Sequence, residues 1–156
     1  MDLITIDFET FYDKDFSLSK LTTEEYIRDR QFEVVGVAVR VNNEPTEWAS
    51  GTDEQIEKYL HSFNWKDSMV LAHNTMFDGA ILSWRYGIKP KLWADTMCMG
   101  RSLDGVEVGG SLMAMSERYG LGKKGTEVIA AKGMRREDFS PEQLSKYGDY
   151  CVNDVD

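Results

Sequence analysis

The segment Leu3–Thr10, L-I-T-I-D-F-E-T, constrains this chain more than any other. Its first half is apolar and β-branched, the composition of a buried strand. Its second half carries Asp7 and Glu9, and residues two apart on a strand point to the same face. Two carboxylates therefore leave a core strand side by side. A buried carboxylate without a partner is costly, and two adjacent ones repel. A cation relieves both penalties, and an oxygen-only ligand set suits Mg²⁺ or Mn²⁺. The competing reading ends the strand at Ile6 and leaves both acids in solvent. The pair alone does not choose between them.

The chain's 156 residues suffice for one domain with a core of its own. Thr22 and Glu25 form a capping box, which predicts a short helix through Tyr26 to Arg30. The Val-rich run Phe32–Arg40 reads as a second strand. Asn42-Asn43 makes a turn, and Pro45–Ala49 returns antiparallel as a third. A helix is expected from Gly51-Thr52-Asp53 to Phe63, a fourth strand over Met69–Ala72, and a helix over Met76–Tyr86 ended by Gly87. Pro90–Ala94 is the fifth strand, and Ser111–Tyr119 a helix stopped by Gly120-Leu121-Gly122. Ser140, Pro141 and Gln143 open a last helix that runs to the chain's end. Strands alternating with helices behind a leading hairpin predict an α/β domain with a mixed sheet and helices on its faces.

Three further acids or phenols fall where they can join Asp7 and Glu9. Asp78 follows the fourth strand near the start of a helix. It either complements the helix dipole or, if strands one and four are adjacent and parallel, stands at the sheet edge where α/β proteins bind ligands. Tyr150 and Asp154 are four apart on the last helix and share one face, with Tyr147 on the same stripe. Asp7, Glu9, Asp78, Tyr150 and Asp154 together match what two metal ions, roughly 3.5–4 Å apart, need to cut a phosphodiester.

The net charge of −9 argues against gripping nucleic acid by charge alone, although metal ions invert the local field at an acidic site. Arg118–Arg136 is the exception, with six basic residues against Glu127. It reads either as a solvated face or as a strand-binding lip beside the acids. No apolar run is long enough to span a membrane, and the N-terminus lacks a basic leader, so a cytoplasmic location is expected. Cys98 and Cys151 suggest neither a disulfide framework nor a zinc site.

The motifs D-F-E-T (7–10), H-N-T-M-F-D (73–78) and Y-C-V-N-D (150–154) resemble, in order and separation, the three exonuclease motifs of the tyrosine-bearing branch of the DEDD superfamily. The chain is most similar to the 3′–5′ proofreading domain of bacteriophage family A DNA polymerases. The intervening S-K-L-T-T-E-E-Y-I-R-D and K-L-W-A-D-T-M-C are also similar, and the resemblance runs over essentially the whole chain. It implies a ribonuclease-H-like fold, a five-stranded mixed sheet flanked by helices on both faces, and two divalent cations, Mg²⁺ or Mn²⁺. By the same resemblance Asp7 bridges both ions, Glu9 and Asp154 complete one site, Asp78 binds the other, and Tyr150 orients the attacking water. Thr10, Asn74 and Phe77 match positions near the terminal nucleotide. Tyr150 fills the role of the sister branch's histidine, so His73 is expected to be structural, and Leu112 and Met113 to be core. The implied substrate is single-stranded DNA or a frayed primer 3′ end, with a polymerase domain in cis or in trans and, for a phage protein, the host cytoplasm as location. Residues 1–156 then form one exonuclease domain, monomeric by default and excised or truncated from a longer polymerase. An exoribonuclease of the same superfamily, or a metal- and strand-binding module without turnover, are the alternatives.

Overall fold

The computed structural model describes residues 1–121 and 131–156. Strand β1 spans Asp2–Thr10. Its even residues Ile4, Ile6, Phe8 and Thr10 are buried on one face, while Thr5, Asp7 and Glu9 are half-buried on the other. The strand therefore continues past Ile6, and both acids belong to it. β2 (Val34–Val41) pairs antiparallel with β1, and β3 (Glu47–Ala49) pairs antiparallel with β2. β4 (Ser68–Ala72) runs parallel to β1, and β5 (Leu92–Asp95) parallel to β4. The order β3-β2-β1-β4-β5 places the acid-bearing strand at the centre of a five-stranded mixed sheet. Asn42, at φ +53°, turns the β2–β3 hairpin, and its Oδ1 accepts the Leu3 N–H at 2.9 Å.

One face of the sheet is closed by three helices. α1 (Thr23–Arg28) and α2 (Asp53–Leu60) each start on a threonine capping box, at Thr22 and Thr52. α3 (Thr75–Ala80) passes into a π-helical turn over Ile81–Arg85. Ile27, Leu60, Ile81 and Leu82 are fully buried there against Ile4, Ile6, Val37 and Val70. Each such side chain contributes about 1.5–3 kcal/mol of transfer free energy. The expected single helix over Met76–Tyr86 is thus two pieces, and α2 stops at Leu60 rather than Phe63.

The other face carries α6 (Pro141–Val155), capped by Ser140 with Pro141 at its first position. Tyr147, Gly148, Cys151 and Val155 form its buried stripe. Trp48 of β3 lies between two glycines: a Cβ on Gly36 of β2 would sit 2.2 Å from its ring, and one on Gly148 of α6 2.5 Å. The helix can approach the sheet this closely only because both positions lack a side chain. Between β5 and α6 stand α4 (Thr96–Asp104) and α5 (Leu112–Tyr119). Sequence periodicity does not reveal α4, because Gly100 is its one buried residue. Among the described residues no helix is long and apolar enough to cross a membrane.

Candidate active site

The carboxylates converge where the β1–β4 pairing runs out. The parallel ladder ends at Thr5↔Leu71, while β1 goes on to Thr10 along β2. A bulge then follows, since Glu9 pairs with Gly36 and Thr10 with Val34. Bulges recur beside active sites because they re-aim side chains. Here Val35 is turned toward α6, where it packs with Phe139 and Tyr147. Beyond the end of β4, the Phe8 N–H donates instead to Asp78 Oδ1 at 3.1 Å.

Asp78 is 2 % exposed. Burial, and then the neighbouring Asp7 carboxylate, push its carboxyl well above the usual range, against the opposing pull of the Phe8 amide. Ligand atoms of Asp7, Glu9 and Cys151 lie within 4.8 Å of one another. Asp154, half-buried on α6, shares with Asp7 a cleft of about 730 Å³ between α5 and α6. The carboxylates of Asp7, Glu9 and Asp78 are close enough for the first two to oppose ionisation of the third, and oxygen donors of this kind suit a hard divalent cation.

The turn that delivers Asp78 is fixed by Asp95, to which the sequence reading assigned no role of its own. Asn74 takes the left-handed conformation, φ +67°, which Asn tolerates better than most residues. The Asn74 and Thr75 N–H groups each donate to the Asp95 carboxylate at 3.1 Å. The same carboxylate caps α4 through the Met97 and Cys98 amides. One side chain thus orders the starts of two helices.

Tyr150 is half-buried against Val35, Phe139 and Tyr147. Phe77 is half-buried, its ring 6.2 Å from that of Tyr26. Thr10 is buried on the other face of β1 from Asp7 and Glu9, beside the Tyr26 phenol that the Glu9 charge acts on. Its hydroxyl meets that of Tyr26 at 2.9 Å. His73 bridges Thr96 Oγ1 at 2.9 Å and the Gly110 carbonyl at 2.8 Å, a structural arrangement. Two expectations need correction. Met113 is 54 % exposed, since Met115 is the buried methionine of α5, and Leu112 is half-buried and lines the cleft rather than the core. In the basic segment, Arg118 pairs with Asp104 and Arg135 with Glu33, both at 2.7 Å. Lys123 and Lys124 lie outside the described residues.

Two contacts of α6 escaped the sequence reading. Tyr147 Oη donates to Glu9 Oε2 at 2.5 Å, and the buried Cys151 thiol lies 3.3 Å from Asp7 Oδ2. Burial and the Asp7 charge push that thiol well up, so it stays protonated and donates.

Asp78 also sets how stability varies with pH. A carboxyl raised in the folded state above its unfolded value opposes folding as pH climbs past about 4, where the unfolded group ionises. The penalty is absent below that pH and grows until the folded group ionises too. In metal-free buffer, Asp78→Asn is therefore expected to melt measurably above the wild type at pH 7. The two proteins should melt together near pH 3. Differential scanning calorimetry in EDTA at both pH values measures this, and equal melting at pH 7 would remove the electrostatic account.

No protein-family model and no curated protein sequence matches the chain. Its structure, however, is similar to solved ones. NrnC of Brucella melitensis superposes with a TM-score of 0.67 at 14 % identity, over 98 % of this chain and 66 % of that one. NrnC has also been seen with bound Mg²⁺ and with pGG. RNase D of Trypanosoma brucei in complex with GMP superposes at TM-score 0.70 and 15 % identity, over 98 % of this chain and 47 % of that one. The same RNase D is also known in complex with RNA U12. The catalytic core of RRP6 from the same organism gives TM-score 0.64 at 13 % identity, over 98 % and 38 %. The chain thus spans about two thirds of NrnC and about half of RNase D. The fold is ribonuclease-H-like.

Proposed function

We propose that the chain is a metal-dependent 3′–5′ exonuclease that releases nucleoside 5′-monophosphates from single-stranded or frayed DNA ends. One observation carries the proposal: Asp7 and Glu9 of the central strand act on the buried Asp78 carboxyl, and Asp154 of α6 lines a cleft with Asp7, in the chain order of the three exonuclease motifs. The Mg²⁺ in NrnC and the nucleotide ligands of NrnC and RNase D support it.

Two divalent cations, Mg²⁺ or Mn²⁺, supply the charge neutralisation that a phosphodiester needs before water can attack it. Asp7 would hold both, Glu9 and Asp154 would complete one site, and Asp78 would hold the other. Tyr150, four residues before Asp154 on the same helix, orients the attacking water with its phenol. The water gives up a proton as its oxygen bonds to phosphorus, the bond to the 3′ oxygen breaks, and the leaving oxygen takes up a proton, so that none is gained or lost overall. Most of the acceleration comes from positioning and fixed charge.

Similarity to the phage proofreading domains favours DNA and a polymerase domain in cis or in trans. A second reading, RNA as substrate, is favoured by the RNA U12 complex of RNase D. Both are tested by incubating the protein with 5′-labelled single-stranded DNA and matched RNA, with Mg²⁺, Mn²⁺ or EDTA. A ladder shortening from the 3′ end of DNA, absent in EDTA, is expected. Faster shortening of RNA would establish the second reading. No shortening of either, together with no Mn²⁺ binding by calorimetry, would overturn both.

A further inference from the structure

α6 runs along the half of β1 that carries the acids, and the two repeats match. Glu9 and Asp7 are two residues apart on a strand, a rise of about 6.6–6.8 Å. Tyr147 and Cys151 are four apart on a helix, a rise of about 6 Å. Polar groups of the helix therefore meet both carboxylates, Tyr147 at Glu9 and Cys151 at Asp7. The two contacts differ in strength, since a thiol is a weak donor at 3.3 Å and a phenol at 2.5 Å is a strong one.

Tyr147 is held for this contact. It is 5 % exposed. Its ring stacks on Phe139, with centroids 5.4 Å apart and planes inclined by 13°, and lies 6.5 Å from the Trp48 ring. Burial, then the Glu9 charge, push its phenol far above the ordinary range, so the hydroxyl remains a donor throughout the working range of pH. A carboxylate held at one oxygen samples fewer rotamers, so the contact narrows the directions in which Glu9 can present itself.

Building on the two-metal reading above, we propose that Tyr147 is the positioning residue that holds the Glu9 carboxylate in metal-binding orientation, a role separate from that of Tyr150. Partners of this kind, behind a ligand, typically change metal affinity about 10–100-fold when removed.

The test uses Tyr147→Phe, which keeps the stacked ring and removes only the hydroxyl. Phe139→Leu is the packing control, since it loosens the ring and leaves the hydroxyl in place. Mn²⁺ affinity is read by calorimetry and by electron paramagnetic resonance of the bound ion. 3′-end cleavage is followed across a Mn²⁺ titration and an oligonucleotide titration. Tyr147→Phe is expected to bind Mn²⁺ about 10-fold more weakly. Its turnover should return to near wild type at saturating Mn²⁺, with KM for the oligonucleotide unchanged. In a Glu9→Gln background the same change should have no further effect on Mn²⁺ affinity. Unchanged Mn²⁺ affinity in Tyr147→Phe would overturn the proposal while leaving the exonuclease reading intact. So would an equal loss in the Glu9→Gln background, or a loss reproduced in full by Phe139→Leu. A wild type that binds Mn²⁺ but cleaves nothing would sink the exonuclease reading and leave the positioning role measurable. A wild type that neither binds Mn²⁺ nor cleaves would overturn both.

Discussion

Asp7→Ala is expected to slow 3′-end cleavage by at least about 100–1,000-fold, the scale on which rates fall when a preorganised charge-stabilising group is lost. Asp7 sits on the central strand between the other acids. It shares a 4.8 Å ligand cluster with Glu9 and Cys151, it is the main charge acting on buried Asp78, and it lines the cleft with Asp154. No neighbouring side chain can take over all three relations. The fold should survive, because Asp7 is half-buried and leaves the packed face of β1 untouched. Circular dichroism and the melting temperature are therefore expected to stay at or slightly above wild type, since the variant relieves Asp78 of a like charge. Asp15→Ala is the matched control. Its carboxylate is 83 % exposed and 3.9 Å from Lys14, and such surface pairs contribute about 0–1 kcal/mol. Cleavage by Asp7→Ala within tenfold of wild type would refute the two-metal reading.

Gly148→Ala tests the attachment of α6. Helix propensity alone favours alanine over an interior glycine by about 1 kcal/mol. Steric contact opposes it: the new Cβ would lie 2.5 Å from Trp48 Cδ1, and the far edge of that indole already lies over Gly36. At 2.5 Å the ring or the helix must shift, and the clash wins. We expect a net loss of about 1–3 kcal/mol, or roughly 3–10 °C in melting temperature. Activity should fall further than stability, to about one hundredth. The displaced helix carries both Tyr150 and Asp154, and an error of about 1 Å at a reacting centre costs rate on that scale. Trp48→Leu in the same chain should restore part of both losses. A Gly148→Ala protein as stable and as active as the wild type would show that the indole is not a fixed wall.

Much of this arrangement is legible along the chain because it is local. The i, i+2 spacing of Asp7 and Glu9 predicts two acids on one strand face, and the structure has them there. The boxes at Thr22 and Ser140 predict helix starts that the structure shows. Legibility fails where tertiary contact decides. α4 has no apolar stripe to read, since Met99 and Leu103 point outward. On α5 the same helical pattern admits Met113 or Met115 as core, and packing against Gly100 selects Met115. Thr10 follows D-F-E in the motif, and its contact with Tyr26, sixteen residues on, is not visible in any local period. The partners of Tyr147 and Asp95 lie 138 and about 20 residues away, beyond any local period.

β1 is hydrogen-bonded through its main chain to β2 on one side and β4 on the other, whereas α6 is joined to the sheet by side chains, through Tyr147, Cys151, Val155 and the wedged Trp48. The two halves of the site thus belong to units of unequal local stability. Amides of the central strand exchange with solvent at the cost of global unfolding, while the helix can detach at a fraction of it. Mild denaturant should therefore silence the protein first, leaving an intact sheet that displays two carboxylates stripped of the groups that hold them.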